Sequence, residues 1–436
     1  MKVAIYSLGC KVNIYESEYV EELLKNHGYE IVSFDEVADI YIINTCSVTN
    51  ESDKKSRKTI HQARRKNEDA IIVVMGCYSQ LKPEEIEADI VLGNQDKSKI
   101  LDYLDEFMDN KLPIKKIYDL RESSDFESMY ITNFDNHTRA FVKIQDGCNA
   151  FCSYCIIPYT RGKIRSKQPE DIIKEVTALV LNGYHEIVLT GIHTGKYGMD
   201  LDDMNLEKLL RRLIEIPNLY RIRLSSIEIN EITDGIMDLV KHSNIIASHF
   251  HIPLQSGANA ILKAMNRRYT KEEFIEKVDR IKKLRSDISI TTDLIVGFPG
   301  ETLEDFMETI DTIKRIGFTK IHTFPYSKRE GTVASEMKNQ IDGNIKKKRV
   351  REILKLSDEL EMKYYKTYIE QVFEGVSELR KDGTSLVHTT NFIPIIVQES
   401  IKNNEIVKVK IEYIDKAHKV YGKLVIVSKK CPSLVK

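Results

Sequence analysis

Residues 147–155 read Gly-Cys-Asn-Ala-Phe-Cys-Ser-Tyr-Cys and set Cys148, Cys152 and Cys155 in a C-x3-C-x2-C spacing. Three thiolates on one short loop can hold three irons of a cubane 4Fe–4S cluster and leave the fourth iron without a protein ligand. An open iron is a place where a small molecule binds and reacts, so the spacing implies chemistry as well as structure. Zinc is the alternative. A structural zinc takes four protein ligands, and neither a His nor a fourth Cys lies at close spacing here. The loop follows the apolar run 140–145, which places it at the end of a strand.

A chain of 436 residues, 42% of them apolar, is long enough for two or three domains with real cores. The net charge of −1 gives no global basic field. Charge is uneven, however: residues 54–66 hold seven Lys/Arg and no acid, and 346–351 hold five Lys/Arg. Either stretch alone reads as a solvated helix face. Met1-Lys2 leads into a strand-like run and not into the apolar core of a signal peptide. The uncharged run 243–262 is interrupted by His249, His251, Pro253 and Gln255, so no membrane span is expected. Seven cysteines without an export signal argue for reduced thiols, metal ligation and a cytoplasmic location.

The first third alternates strand and helix. Strands are expected at 3–7, 39–44, 70–75 and 89–92, and helices at 15–27, 50–66 and 97–109. This is the pattern of an open parallel α/β sheet. The first three of these runs end in Gly9-Cys10, Thr45-Cys46 and Gly76-Cys77. Ligands bind at the C-terminal edge of such sheets, so Cys10, Cys46 and Cys77 are expected to converge on a second three-thiolate site. Three unrelated buried thiols are the alternative.

Residues 113–138 read as a linker between a first domain, 1–112, and a second, 139–366. Six more strands are expected at 140–145, 186–192, 221–226, 248–254, 289–296 and 320–326, with helices such as 169–181 and 303–316 between them. Six β/α repeats suggest a partial parallel barrel, a (β/α)6 arrangement with its site at the C-terminal strand ends. Five polar or Gly-rich stretches follow these strands, beginning at Thr190, Ser225, Pro253, Asp293 and Pro325. One Gly-rich turn is weak evidence; five around one mouth suggest a nucleotide-like ligand. Candidate cofactor-binding residues are Tyr154 in the cysteine loop and Gly191, Ser225, Glu228, Gln255 and Asp293 at the strand ends. His249 and His251 read as core or supporting residues.

A basic helix is expected over 343–370. The rest, 367–432, alternates short β-like runs at 373–377, 385–389, 393–397, 406–413 and 420–428 with polar turns. That reads as a small closed β-barrel of the kind used for oligonucleotides, with a plain packing domain as the alternative. Cys431 stands apart and reads as a free thiol.

The loop resembles the signature of radical S-adenosylmethionine (SAM) enzymes, in which an aromatic residue, here Tyr154, precedes the last cysteine. The three-part order resembles the radical-SAM methylthiotransferases, which join a methylthiotransferase N-terminal domain, a radical SAM core and an RNA-binding TRAM domain. Six cysteines of this chain match the two cluster motifs. Within the family the chain is most similar to MtaB-type tRNA methylthiotransferases, on Leu8-Gly9-Cys10-Lys11-Val12-Asn13, the stretches from His193 to Gly198 and His251 to Gly257, and the stretch from Phe324 to Thr332.

The resemblance implies two 4Fe–4S clusters. At Cys148, Cys152 and Cys155 the amino and carboxylate groups of SAM chelate the open iron, and one electron splits SAM to a 5′-deoxyadenosyl radical. At Cys10, Cys46 and Cys77 the cluster presents sulfur, which a second SAM methylates. The implied product is 2-methylthio-threonylcarbamoyladenosine at tRNA position 37. The implied partners are a tRNA anticodon stem-loop, a flavodoxin-like or ferredoxin-like electron donor and a sulfur donor. Lys11 and Arg329 are candidates for the substrate carboxylate.

Sister branches act on isopentenyladenosine, typically with Gln-Met where this chain has Lys11-Val12, or on a ribosomal-protein aspartate, typically with His where it has Ser256. A non-catalytic iron–sulfur RNA-binding protein or electron carrier is the alternative of another class.

Overall fold

A computed structural model describes residues 1–122, 125–134 and 138–427; Cys431 and the end of the last expected strand lie outside them. The first six strands are β1 (Lys2–Ser7), β2 (Glu30–Val32), β3 (Ile40–Thr45), β4 (Ile71–Gly76), β5 (Ile90–Leu92) and β6 (Ile114–Lys116). They form one parallel sheet in the order β2-β1-β3-β4-β5-β6. Side chains alternate between its two faces. Ile40, Ile42, Val73 and Met75 enter one core, and Tyr41, Ile43, Ile72 and Val74 enter the other. Burial on both faces explains why β3 and β4 are unbroken apolar runs.

Two features of the expected boundaries change. The first sheet runs on to Lys116, because β6 pairs with β5 inside the stretch expected to be linker. The rest of that stretch is no spacer either. Met129, Ile131 and Phe134 are buried in the core of the second unit, together with Tyr15 of the first. β2 and β6 have only three residues each, too few for periodicity to mark them.

The second unit is built on β7 (Ala140–Asp146), β8 (Arg165–Ser166), β9 (Glu186–Gly191), β10 (Arg221–Leu224), β11 (His249–His251), β12 (Ser289–Val296) and β13 (Lys320–Pro325). Two sheets, β10-β9-β7-β8 and β11-β12-β13, are joined by parallel bridges Ile222 to Ile246 and Ser226 to His251. The expected six parallel strands therefore form one continuous wall. β8, unforeseen, adds an antiparallel pair beside β7. The helix Gly343–Lys366 packs along β13, with Lys320 Nζ 2.9 Å from Glu361 Oε1.

The last five strands, β14 (Val372–Leu379), β15 (Ser385–Thr389), β16 (Pro394–Val397), β17 (Ile406–Ile414) and β18 (Val420–Val427), close a small barrel in the order β14-β15-β16-β18-β17. It docks on the N-terminal ends of β9 to β11. Glu186, fully buried, pairs with Arg221 at 2.9 Å and Arg223 at 2.8 Å. The same arginines donate to the carbonyls of His388 and Thr389, both at 2.9 Å. Phe392 stacks on His249 with ring centres 4.6 Å apart. The small barrel thus caps the end of the strand wall opposite the cysteine loop. Among the described residues no helix is long and apolar enough to cross a membrane.

Candidate active site and metal centres

The loop after β7 turns at Gly147, where φ is +75° and a Cβ would lie 1.8 Å from the Lys163 carbonyl oxygen, so only glycine fits. Gln145 Nε2 donates to the carbonyls of Asp146 and Gly147 at 2.7 and 2.6 Å. Ser153 ties the middle of the loop to Met265 and Ala264, at 3.0 and 2.7 Å. Its thiols meet two cationic groups. His193 Nδ1 lies 3.2 Å from Cys148 Sγ, and Arg267 donates to Cys152 Sγ at 3.5 Å.

Burial, then the nearby Cys152 thiol, pushes Cys155 up to about 12. Burial also works against a charged His193, but Cys148 and Glu231 outweigh it and raise its pKa to about 10. Three crowded thiols ionise together only when a cation is supplied; this donor set fits an iron–sulfur cluster.

The second triad is assembled by topology. β1, β3 and β4 are adjacent in the sheet, and Cys10, Cys46 and Cys77 follow their C-terminal ends. The site lies beside the switch point between β1 and β3, where such sheets bind ligands. Gly9, at φ +105°, carries the first loop so close to the second that a Cβ would lie 2.9 Å from Cys46 Sγ. Burial and the Cys77 thiol push Cys46 up to about 11. Asn94 Nδ2 lies 3.5 Å from Cys77 Sγ. No three His, Cys, Asp or Glu among the described residues are arranged around a single metal ion. A cubane holds each thiolate on a separate iron, so its ligands stand further apart.

Four of the six expected cofactor residues, Tyr154, Glu228, Gln255 and Asp293, divide between two cavities. One, of about 180 Å³, is lined by Cys152, Glu228, Arg267 and His193; Arg267 and Glu228 form an ion pair there. The other, of about 210 Å³, is lined by Tyr154, Cys155, Gln255 and Asp293, with Phe324 and, from the first unit, Val48 and Thr49. Asp293 Oδ2 lies 3.1 Å from His251 Nε2. Gly191 ends β9 against the Gln145 side chain. Ser225 follows β10, and its Oγ is buried without a partner among the described residues, as a hydroxyl waiting for a ligand would be.

Lys11 keeps solvent access. Desolvation by the surrounding protein, then Arg139 and Arg223, lower its pKa, and Cys10 and then Asp293 counter them. The expectation for Arg329 is corrected. Its guanidinium donates to Asp53 at 2.7 Å, Asn50 at 3.0 Å and Ser47 at 2.8 Å, 5% exposed. It clamps the first unit to the strand wall and is not available to a substrate carboxylate.

The basic stretches are also partly spent on structure. Arg349 is buried against Glu301, and Lys346 donates to the Tyr326 carbonyl at 3.2 Å. Lys347, Lys348 and Arg351 stay exposed, as do Lys54, Lys55 and Lys58. The two helices that carry them, Asn50–Lys66 and Gly343–Lys366, both begin beside Tyr326 and Ser327 at the second cavity.

Arg267 was not foreseen, since it lies in no strand-end motif. His193 was in one, but nothing local assigned it to Cys148.

A family model described as "Radical SAM superfamily" matches residues 142–313, and one described as "Uncharacterized protein family UPF0004" matches residues 2–93. The chain is 45% identical over 420 residues to "Threonylcarbamoyladenosine tRNA methylthiotransferase MtaB" of Bacillus subtilis, covering 94% of this chain and 93% of that one. It is 36% identical over 414 residues to "tRNA-2-methylthio-N(6)-dimethylallyladenosine synthase" of Thermoanaerobacter pseudethanolicus, covering 91% and 87%. Among solved structures, the radical S-adenosylmethionine methyltransferase TsrM of Kitasatospora setae superposes with a TM-score of 0.56 at 15% identity, over 77% of this chain and 76% of that one. That likeness concerns the fold.

Proposed function

The chain belongs to the radical SAM tRNA methylthiotransferases, and from that premise we propose that it adds a methylthio group to carbon 2 of threonylcarbamoyladenosine at tRNA position 37. The observation that carries the choice of base is the 45% identity, over 94% of the chain, to the Bacillus subtilis relative named for threonylcarbamoyladenosine, against 36% over 91% to the Thermoanaerobacter relative named for dimethylallyladenosine.

Cys148, Cys152 and Cys155 would hold one 4Fe–4S cluster, and Cys10, Cys46 and Cys77 a second. With SAM bound, these groups would supply one-electron cleavage at the first triad and a methylated sulfur at the other. A carbon-2 hydrogen is too weakly acidic for a side-chain base, which is why acid–base chemistry would not suffice.

The protein's own contribution is placement and exclusion of water. Tyr154, Gln255 and Asp293 would line the nucleoside side of SAM, with Ile295 and Phe324 as its apolar walls. The Arg267–Glu228 pair beside Cys152 offers a cation and an anion to an amino-acid group. Gly191 lets the end of β9 pass close to the Gln145 side chain, where a Cβ would lie 3.0 Å from its Oε1, and the Ser225 hydroxyl is free to donate. Lys11 is the candidate for the threonylcarbamoyl carboxylate, because a buried carboxylate needs a cation or several donors. The scheme consumes electrons and sulfur, so a flavodoxin-like or ferredoxin-like donor and a sulfur donor belong to it.

Two anticodon stem-loops test the substrate, one bearing threonylcarbamoyladenosine and one isopentenyladenosine. Methylthio product is expected only from the first, with Lys11→Met reducing turnover on it. Product only from the isopentenyl RNA, or only from a ribosomal protein, moves the chain to a sister branch.

In the same reading RNA phosphates lie along the exposed lysines at the starts of the two basic helices, and the closed terminal barrel adds an RNA surface. Truncating that barrel is a poor test, since it would strip Arg221 and Arg223 of their carbonyl acceptors. Replacing Lys54, Lys55 and Lys58, or Lys347 and Lys348, by Ala should instead weaken tRNA binding. Each lost phosphate contact should flatten the slope of log affinity against log salt by roughly 0.7–0.9. An unchanged slope would take these helices out of the RNA surface.

A further inference from the structure

Between the two triads lies a buried set of charges with no part in the scheme above. Glu16 accepts from Lys143 at 2.9 Å and Arg161 at 2.8 Å and pairs with Lys97. Asp146 pairs with Lys143 at 2.7 Å and Arg161 at 3.1 Å, and Arg165 stands 4.0 Å away. All six are at most 4% exposed. Four cations thus face two carboxylates. The next acid, Glu127, is turned to Ser98, with its pKa raised by burial, and positive charge is in excess even when it ionises. Arg161 Nε and Arg165 Nη1 are buried donors without a partner among the described residues. Unmatched buried charge is costly, so the set calls for an anion that the protein side chains do not supply.

Hydrogen bonds lead from this set to the Cys10, Cys46 and Cys77 site. Arg161 Nη2 donates to Asn13 Oδ1 at 2.7 Å. That orients the amide so that Asn13 Nδ2 donates to the carbonyls of Leu8 at 2.7 Å and Thr45 at 3.0 Å, just before Cys10 and Cys46. The Thr160 carbonyl accepts from Asn94 Nδ2 at 2.9 Å, Lys97 donates to Asn94 Oδ1 at 3.2 Å, and the same Asn94 Nδ2 addresses Cys77 Sγ. Thr160 and Arg161 lie on the short helix Ile157–Arg161, directly after the loop of the other triad.

We propose that Arg161, acting through Asn13, is a positioning residue for the N-terminal cysteine site, with Lys97 acting beside it through Asn94. It ties that site to the radical-SAM loop and, with Lys97, stabilises the reduced, more negative state of the cluster the site holds. The proposal rests on the two-cluster reading. Nearby positive charge and N–H···S bonds favour the reduced state of an iron–sulfur cluster and so raise its potential. The strut also fixes the distance between two sites that must act on one carbon.

The test uses full-length protein carrying Cys148→Ala, Cys152→Ala and Cys155→Ala, so that the N-terminal site alone holds iron. Iron content and an EPR-monitored redox titration are the readouts. In this background Arg161→Gln and Asn94→Leu should each keep roughly four iron atoms per chain. Each should lower the reduced-to-oxidised ratio at fixed potential about tenfold, a shift of 59 mV for one electron. Arg161→Lys, which keeps the charge, should recover part of that shift and carries the test if Arg161→Gln does not fold. In the reciprocal protein lacking Cys10, Cys46 and Cys77, Asn94→Leu should leave the midpoint unchanged. A loaded cluster with an unmoved midpoint, or equal shifts at both sites, overturns the proposal. No iron at the N-terminal site of the background protein overturns the two-cluster reading, and this inference with it.

Discussion

Replacing Cys148, Cys152 and Cys155 together by Ala should halve the iron of anaerobically reconstituted protein, from roughly eight to roughly four atoms per chain, and abolish SAM cleavage to 5′-deoxyadenosine. The loop is pinned by Gln145 and Ser153 through backbone partners the substitutions leave untouched, so the fold should survive. The reciprocal replacement of Cys10, Cys46 and Cys77 should remove the other half of the iron, spare SAM cleavage and stop methylthiolation. Full iron in the first variant would mean that the loop holds no cluster. Loss of both activities in a folded second variant would end the division of labour between the sites. The same pair of variants separates an enzyme from an iron–sulfur electron carrier, which has no need to cleave SAM.

Glu16→Gln should be among the most destabilising single changes in the chain. The carboxylate is fully buried among Lys97, Lys143 and Arg161. Removing it leaves three buried cations short of an acceptor, and breaking such a buried pair costs about 3–5 kcal/mol. Urea unfolding followed by far-UV circular dichroism reads the loss. Glu51→Gln is the control: its partner Lys54 lies 2.8 Å away, but both are exposed, and such a pair contributes about 0–1 kcal/mol.

The pH dependence has a definite sign. Burial opposes ionisation of Glu16, but Arg161, Lys143 and Lys97 outweigh it and hold its pKa well below the usual carboxylate range. Its contribution is therefore complete above the unfolded pKa of about 4.3 and is lost as pH falls through the folded value. Wild-type protein should lose stability in acid more steeply than Glu16→Gln. Equal urea midpoints for the two proteins at neutral pH would show that the charge set does not hold the units together.

What could be read directly from the chain was written in local repetition. The apolar runs of β3 and β4 are visible because burial on both faces demands them. The closed terminal barrel shows in its alternation, and a C-x3-C-x2-C loop needs no distant partner to be recognised. Cys10, Cys46 and Cys77 are far apart in sequence, yet each sits after a small residue at a strand end, and adjacent parallel strands bring such positions together. β2, β6 and β8 were hidden because two or three residues carry no period, and they form only against a neighbour already in place.

The chemistry of the loop and the class of fold were thus determined by sequence alone, since spacing and periodicity are properties of neighbouring residues. Tertiary structure decided which cations face which acids. Arg329 looked free to meet a substrate until packing set it against Asp53, 276 positions away. Arg161 stands in no motif of the sequence, yet packing sets it against Glu16 and Asn13, 145 and 148 positions away. A long cationic side chain reaches any partner that the fold brings within a few ångströms, and buried charges must be matched wherever they meet. That pairing belongs to the folded interface, and no local pattern records it.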